Sequence, residues 1–519
     1  FEIYSGKTGS RDFKIKGPTD LLPSTVKVLK KELDKIKSKF LQLGLNVEVH
    51  NTKNRHERGK EALLDIDEIH QVGCLLLGLQ IPMLHRTREG EEYPIFFRNF
   101  KDLLIKAIHK TIYDFIRVQT SSGVSSYMAL GRKYLKPKVF EIDRKLTEIE
   151  RSFQFLMLIS PANIRQIKQE FFESGYKKVL DYHYRLLPVD PDLLKRKLYH
   201  LKIEKIDDPA LSFLFREKRE ELDHQITMLN ERGIPNFFYN SVRLYGTVKT
   251  NLKKVAESIL TAVPEAVETE SDNQVNSADF AALARKEFEY FRKQDPNFQS
   301  KIHIKDNIHT LMVSQGELYI PTDYKMNHEE ADALLQHEVG THVLTYHNGM
   351  QQPLELMAVG LANYDTLQEG LAVMSEFLMG GLTPNRMRVL AGRVIAGAAL
   401  LKGKKFKSIF NLLNKKHGFS PERAFNIVSR IMQGGGFLKD IIYLKGLVSL
   451  RKYLMKGGNL ELLLIGKFSL GHYNVVRELY ERHILKDTHI RPRYLEYEST
   501  QKKLDLIRRG LPIHEMINN

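Results

Sequence analysis

Two histidines five residues apart, His337 and His342, with Glu338 directly after the first, make the segment QHEVGTH the place where this chain could hold a metal and break a bond with water. Imidazole nitrogens and carboxylate oxygens are ligands that zinc accepts, and a hydrolytic zinc site takes three from the protein and leaves a position open. A carboxylate beside such a site, here Glu338, can serve as general base toward water. In the common His-Glu-x-x-His helix the histidines are four apart and share a face. Five steps of 100° put these two about 140° apart on an ideal α-helix, which points them away from each other. A locally widened, π-like turn brings them back together, and such turns recur at functional sites. Gly340 lies between the histidines, where backbone distortion is cheap. The spacing therefore predicts a distorted helix around Gly340. The plainer alternative is a regular helix with two unrelated histidines and a solvent-facing Glu338.

A third ligand has to come from another segment. Glu369 lies 32 residues after His337 in YDTLQEGLAVMSEFLMGG, which reads as a second amphipathic helix, antiparallel to the first. Glu376, two turns on along the same face, and His347, near the end of the motif helix, are rivals. Thr366 and Glu369 also fit a capping box with no metal role. His328 and Glu329 read as surface residues at the start of the motif helix.

Together these segments carry a resemblance. His337-Glu338-x-x-x-His342, followed by Gln368-Glu369-Gly370-Leu371-Ala372, resembles the paired motifs of the bacterial QEGLA-motif proteins. Those are similar to the animal microtubule-associated tyrosine carboxypeptidases, which are zinc metallopeptidases. The likeness runs from about residue 139 to the end and takes in HYRLLPVDPDLLKRKLYHLKIEKIDDPALSFLFREKREELD and GGGFLKDIIYLKG. The resemblance implies Zn2+ held by His337, His342 and Glu369, with Glu338 as base. It implies direct hydrolysis by water, with no nucleophilic serine, most simply removal of a C-terminal residue, an aromatic one among the candidates, from a peptide or protein. The animal enzymes remove a terminal tyrosine from tubulin, a specificity not carried over here. Two other readings stay open: hydrolysis of a different amide, and a non-enzymatic basic binding or regulatory protein that keeps its metal site.

A carboxypeptidase has to grip a terminal carboxylate, for which the planar arginine fork is suited. It also needs a donor for the oxyanion formed at the scissile carbonyl. SPERAFNIVSRIMQGGGFLKDIIYLKG offers Arg423, Arg430, Lys439 and Tyr443, and Lys439 and Tyr443, four apart, could share one helix face. These two are the catalytic candidates, because their segment shares the family resemblance. Arg393 joins Arg423 and Arg430 as a substrate-binding candidate, since a charge in an otherwise apolar helix needs a partner or a ligand. The Gly434-Gly435-Gly436 run lacks the Gly-Lys-Ser/Thr ending of a nucleotide P-loop.

These residues need elements to position them. NHEEADALLQHEVGTHVLTYH reads as the motif helix, with Asn327 as cap, Glu330 completing a capping box and Gly349 at its exit. Before it, SKIHIKD and HTLMVSQGELYIP read as a small sheet, with a hairpin turning at Ser314-Gln315-Gly316. PALSFLFREKREELDHQITMLNERG reads as a helix opened by Pro209 and closed by Gly233, and TESDNQVNSADF as a polar joint. Nearer the start, residues 22–43 read as a helix capped by Ser24, LNVEVH and GCLLLGLQIPM as strands, and YPIFFRNFKDLLIKAIHKTIYDFIR as a long helix. VQTSSGVSS reads as a linker. The fold class expected is α+β: residues 1–125 a small α/β accessory region, residues 139–519 a mainly helical metallopeptidase domain with a small sheet before the motif helix. The first region also resembles the latter part of N-formylglutamate amidohydrolase-like domains through LGLNVEVHNTKNRHERG and the stretch from LLLGLQIPM, with His50 a remnant site residue or a surface histidine.

Composition narrows the rest. Among 519 residues, 79 Lys and Arg against 63 Asp and Glu give a net charge of +16. That balance favours acidic partners, such as an acidic polypeptide C-terminus. Specific nucleic-acid recognition lacks a zinc-finger spacing or basic–aromatic interleaving. One cysteine, Cys74, excludes disulfides within the chain and fits a reducing, cytoplasmic setting; its apolar neighbours place it in the core. No apolar run reaches membrane-spanning length, since VLAGRVIAGAALLKGKK contains Arg393 and ends in lysines. Phe1 in place of Met suggests a start inside a longer chain, and the opening residues lack the apolar core of a signal peptide. Oligomeric state leaves no mark in the sequence.

Overall fold

The computed structural model describes residues 1–63, 65–87, 89–266, 274–306, 308 and 310–517. The chain divides into two compact units, residues 1–134 with 478–484, and residues 135–477 with 485–519. The first is a small α/β unit and the second is mainly helical with short strands, so the chain is α+β.

In the first unit, strands β1 (Glu2–Thr8), β2 (Asp12–Gly17), β3 (Asn46–Asn51) and β4 (Gly78–Met83) form one sheet in the order β1-β4-β2-β3. β1 runs parallel to β4 and β2 parallel to β3, while β2 and β4 are antiparallel. β3, β4 and the helix Pro94–Gln119 fall where apolar patterning places them. Phe13 and Ile15 alternate inward from β2 and meet Leu29, Leu33 and Phe100 of two helices in one core. The helix expected over 22–43 is Pro23–Lys39, and Leu22, not Ser24, takes its cap position. Ser24 instead donates to Asp114 Oδ1 at 3.2 Å. Cys74 is exposed, contrary to its apolar neighbourhood. His50 is exposed and pairs with Glu48 at 3.1 Å.

In the second unit, β6 (Ile302–Lys305) runs parallel to β8 (Glu317–Pro321), and β7 (Met312–Ser314) pairs antiparallel with β8. Gln315 and Gly316 make the hairpin turn with positive φ. A Cβ at Gly316 would lie 2.2 Å from the Tyr346 ring of the motif helix, so glycine there also lets the hairpin approach that helix. β5 (Gln274–Asn276) pairs with β9 (Lys325–Asn327), which leads into the motif helix. Of the expected polar joint, residues 269–273 lie outside the described residues, and Gln274–Asn276 form β5 rather than a joint. No described helix is long and apolar enough to cross a membrane, including Pro384–Leu400 around Arg393.

The motif helix is α-helical over His328–His337, π-helical over Glu338–Val343 and α-helical again over Leu344–Met350. Asn327 is its cap residue, but its side chain makes no capping hydrogen bond. Gly349 sits inside the last turn rather than past it. A Cβ there would lie 2.3 Å from the Met357 carbonyl oxygen, so the glycine serves a close backbone approach.

The helix Asp365–Met379 is buried at every position from Leu367 to Leu378, as expected of a helix with neighbours all round. It crosses the helix Ile442–Met455 at paired glycines. A Cβ on Gly370 would lie 2.6 Å from the Gly446 carbonyl carbon, and a Cβ on Gly446 would lie 2.1 Å from the Thr366 carbonyl oxygen. Backbone meets backbone, so neither helix can yield by turning a side chain aside. Gly446→Ala is expected to cost roughly 1–3 kcal/mol or more by overpacking, read as a lower denaturation midpoint, and to push Glu369 away from the residues of the facing segment. An alanine variant of unchanged stability would show that this crossing is slack.

Candidate metal centre

The π segment answers the spacing. Its i→i+5 turn is wider than an α turn, so a five-residue step comes round to nearly the same face. The His337 and His342 rings stand 5.3 Å apart, centroid to centroid, and nearly perpendicular. Thr341 Oγ1 donates to the Gln336 carbonyl, five residues back, at 3.1 Å, giving the widened turn a side-chain donor. Gly340 contributes differently from the reading above. Its φ is not positive, and a Cβ there would lie 2.1 Å from Gln336 Oε1. Its value is room for a buried side chain beneath the turn.

The helix Asp365–Met379 brings the third group. Thr345 of the motif helix donates to Gln368 Oε1 at 2.8 Å, which fixes the two helices side by side. Glu369 Oε2 lies 3.8 Å from His337 Nε2 and 3.7 Å from His342 Nε2. The ligand atoms of His337, His342 and Glu369 all fall within 4.8 Å of one another, and this group could hold a metal ion. Tyr364 takes the cap position of this helix, so Thr366 and Glu369 do not form a capping box.

The fit to a cation is visible in one atom. Glu369 Oε1 receives Lys439 Nζ at 3.3 Å, whereas Oε2 is buried with no hydrogen-bond partner. An unpaired buried carboxylate oxygen is costly, and a cation between it and two imidazoles removes the cost. Burial alone would raise the Glu369 carboxyl, but Lys439 and the two histidines hold it well below the usual range. Glu338 Oε1 lies 3.9 Å from His337 Nε2. Burial pushes the Glu338 carboxyl up to about 7 against the pull of His342, with Glu369 adding to the rise.

The rival ligands have other work. Glu376 Oε1 sits on the far nitrogen of His337, accepting from Nδ1 at 2.7 Å, and both its oxygens also take Arg386, at 2.9 and 3.0 Å. Arg386 and His337 hold its buried carboxyl near 2 although burial opposes this. His347 pairs with Asp295 at 2.8 Å and packs on Phe298. His328 is exposed, and the Glu329 side chain lies outside what is described.

The substrate-side candidates separate into two groups. Lys439, Arg393 and Arg386 place their charges 5.5, 4.7 and 5.8 Å from the centre of the Tyr443 ring. Burial, then the Glu369 charge, lifts the Tyr443 hydroxyl to about 12, so it stays a donor at neutral pH. Arg393 stands 3.6 Å from Asp440, and its Nε and Nη1 are buried without hydrogen-bond partners. Arg430, by contrast, gives two nitrogens to Asp440 at 2.5 and 2.8 Å, and Arg423 pairs with Glu265 at 2.6 Å. Both are engaged by carboxylates of the chain, which the sequence could not reveal.

Sequence reasoning missed Arg386, Asp440 and Tyr324. Tyr324 lies between β8 and β9, and burial together with the Glu338 charge raises its hydroxyl to about 12. None of the three stands at a helical or strand spacing from the motif, so periodicity carries no signal for them.

Two imidazoles and a carboxylate around one point, with a second carboxylate beside them, define an α+β protein with a site able to hold a metal ion. The model of the microtubule-associated tyrosine carboxypeptidase family matches residues 169–511, more than half of the chain, and the chain belongs to that peptidase family. The match begins after the first unit, so the N-terminal resemblance to amidohydrolase-like domains gains nothing from it. No curated protein matches the chain. A solved structure of a candidate lipoprotein of unknown function from Shewanella oneidensis has 12% identity, covers 88% of this chain and 99% of its own, and has a TM-score of 0.32. A likeness that loose carries no argument.

Proposed function

We propose that the chain is a zinc-dependent carboxypeptidase that removes a C-terminal residue from a peptide or protein. One observation carries the reading: three ligand atoms lie within 4.8 Å of one another, one of them an unpartnered buried oxygen, beside the buried carboxyl of Glu338. Two imidazoles and one carboxylate from the protein match the ligand set of catalytic zinc sites, so His337, His342 and Glu369 would hold the ion. Bound there, zinc supplies Lewis acidity, polarising a carbonyl and making water a stronger acid.

The remaining work belongs to the side chains. Glu338 takes the proton of the attacking water and delivers it to the departing amine. The Tyr443 hydroxyl donates to the oxyanion that develops at the scissile carbonyl. Lys439 neutralises Glu369 Oε1 and turns the other oxygen to the histidines. Arg393 receives the terminal carboxylate, because its guanidinium is buried with nitrogens still to satisfy. Arg423 and Arg430, already paired, are weaker candidates for that role. A net charge of +16 suits acidic C-termini, and a lone cysteine fits the cytoplasm.

The test is a set of peptides with varied last residues, each made with a free and an amidated C-terminus, given to protein whose zinc content has been measured. Loss of one residue from free ends only is expected. Equal cleavage of amidated peptides would sink the carboxypeptidase reading in favour of an endopeptidase or amidase. Zinc occupancy without any cleavage would favour a binding role.

A further inference from the structure

The pair formed by Glu376 and Arg386 has no place in the reading above, yet it touches a ligand directly. Glu376 is almost fully buried and offers only acceptors while ionised. The 2.7 Å contact with His337 Nδ1 therefore requires the proton on Nδ1, which leaves the lone pair on Nε2, the nitrogen that faces Glu369 Oε2. Arg386 holds Glu376 in place by a two-point fork, Nε to Oε2 at 3.0 Å and Nη2 to Oε1 at 2.9 Å. Arg386 is itself fixed at the first turn of the helix Pro384–Leu400, where its backbone N–H donates to the Thr383 hydroxyl at 3.2 Å. Its guanidinium also stands over the Tyr443 ring at 5.8 Å.

We infer that Arg386 is a positioning residue for the metal centre: through Glu376 it fixes the tautomer and ring orientation of His337. Outer partners of this kind orient a ligand histidine, and losing one typically weakens metal binding roughly 10–100-fold. A lysine in place of Arg386 keeps the charge but presents a point donor that cannot span both carboxylate oxygens. The contact with Tyr443 makes the same guanidinium a border between the metal site and the proposed substrate side. The inference rests on the metal reading proposed above.

The experiment uses the full chain stripped of metal and titrated with zinc against a competing chelator, then with Co2+ to read its visible absorption band. Arg386→Met and Glu376→Leu are expected to bind zinc roughly 10–100-fold more weakly than the wild type and to shift the Co2+ band. Arg386→Lys should fall between, and it carries the test if Arg386→Met does not fold. A role limited to stability would lower the melting temperature of the metal-free protein and leave affinity and band unchanged. That result in folded variants, beside tight binding by the wild type, would overturn this inference alone. A wild-type protein that takes up no zinc would overturn the metal reading and this inference with it.

Discussion

Glu338→Gln is expected to lower kcat by roughly 10^2–10^4-fold, the range of general acid–base catalysis, while the zinc content stays that of the wild type. Glutamine keeps the shape of the side chain but cannot accept a proton. The residue lies against His337 without being among the three converging groups, at 3.9 Å between Oε1 and Nε2. The substitution also removes a carboxyl that burial disfavours in its charged form, so folding stability should hold or rise. Loss of activity therefore cannot be put down to unfolding. Steady-state cleavage of the best peptide, with elemental analysis of the same sample, reads both quantities. A variant within a few-fold of wild-type kcat would remove Glu338 from the mechanism.

His342→Ala should act on the metal itself. Two ligands would remain where catalytic zinc sites use three. The loss of affinity should exceed the roughly 10–100-fold that an outer partner costs, and cleavage should vanish with it. His342 is the less buried of the two histidines, and among the described residues its ring has no outer carboxylate like the one Glu376 gives His337. Substitution there should disturb the fold less than at His337. Zinc content, melting temperature and peptide cleavage measured together separate the effects. Full zinc occupancy in a folded His342→Ala protein would mean that the ion, where present, sits elsewhere.

The two variants answer different questions. Glu338→Gln asks whether the site does proton chemistry, and His342→Ala asks whether it is a metal site at all. Metal kept with activity lost in the first, and both lost in the second, is the pattern that distinguishes a hydrolase from a binding protein with a retained metal site.

Much of the motif helix was legible before any coordinates. A five-residue spacing is incompatible with a shared face on an α-helix, so either the histidines were unrelated or the helix had to widen, and it widens over Glu338–Val343. The small sheet before it was legible from its alternating residues and its glycine turn. The first two strands carry no clear pattern, Ser24 is not a cap, Asn327 is a cap residue without a side-chain hydrogen bond, and Cys74 is exposed, because capping contacts and burial depend on what lies across from a residue and not on its neighbours in the chain.

Short-range spacing and motif carried the choice between a widened turn and two unrelated histidines, the residue types able to hold a metal, and the family resemblance. Only the packed fold shows which charges the chain's own carboxylates hydrogen-bond. Arg393, Arg423 and Arg430 look alike in sequence, yet Asp440 and Glu265 engage the last two and leave Arg393 with unsatisfied nitrogens. It also decided that Glu376 would orient His337 and that Gly370 would meet Gly446. The physical reason is that a helix's period is set by its own backbone, whereas the partner of a buried charge is set by helices that cross far from it in the chain.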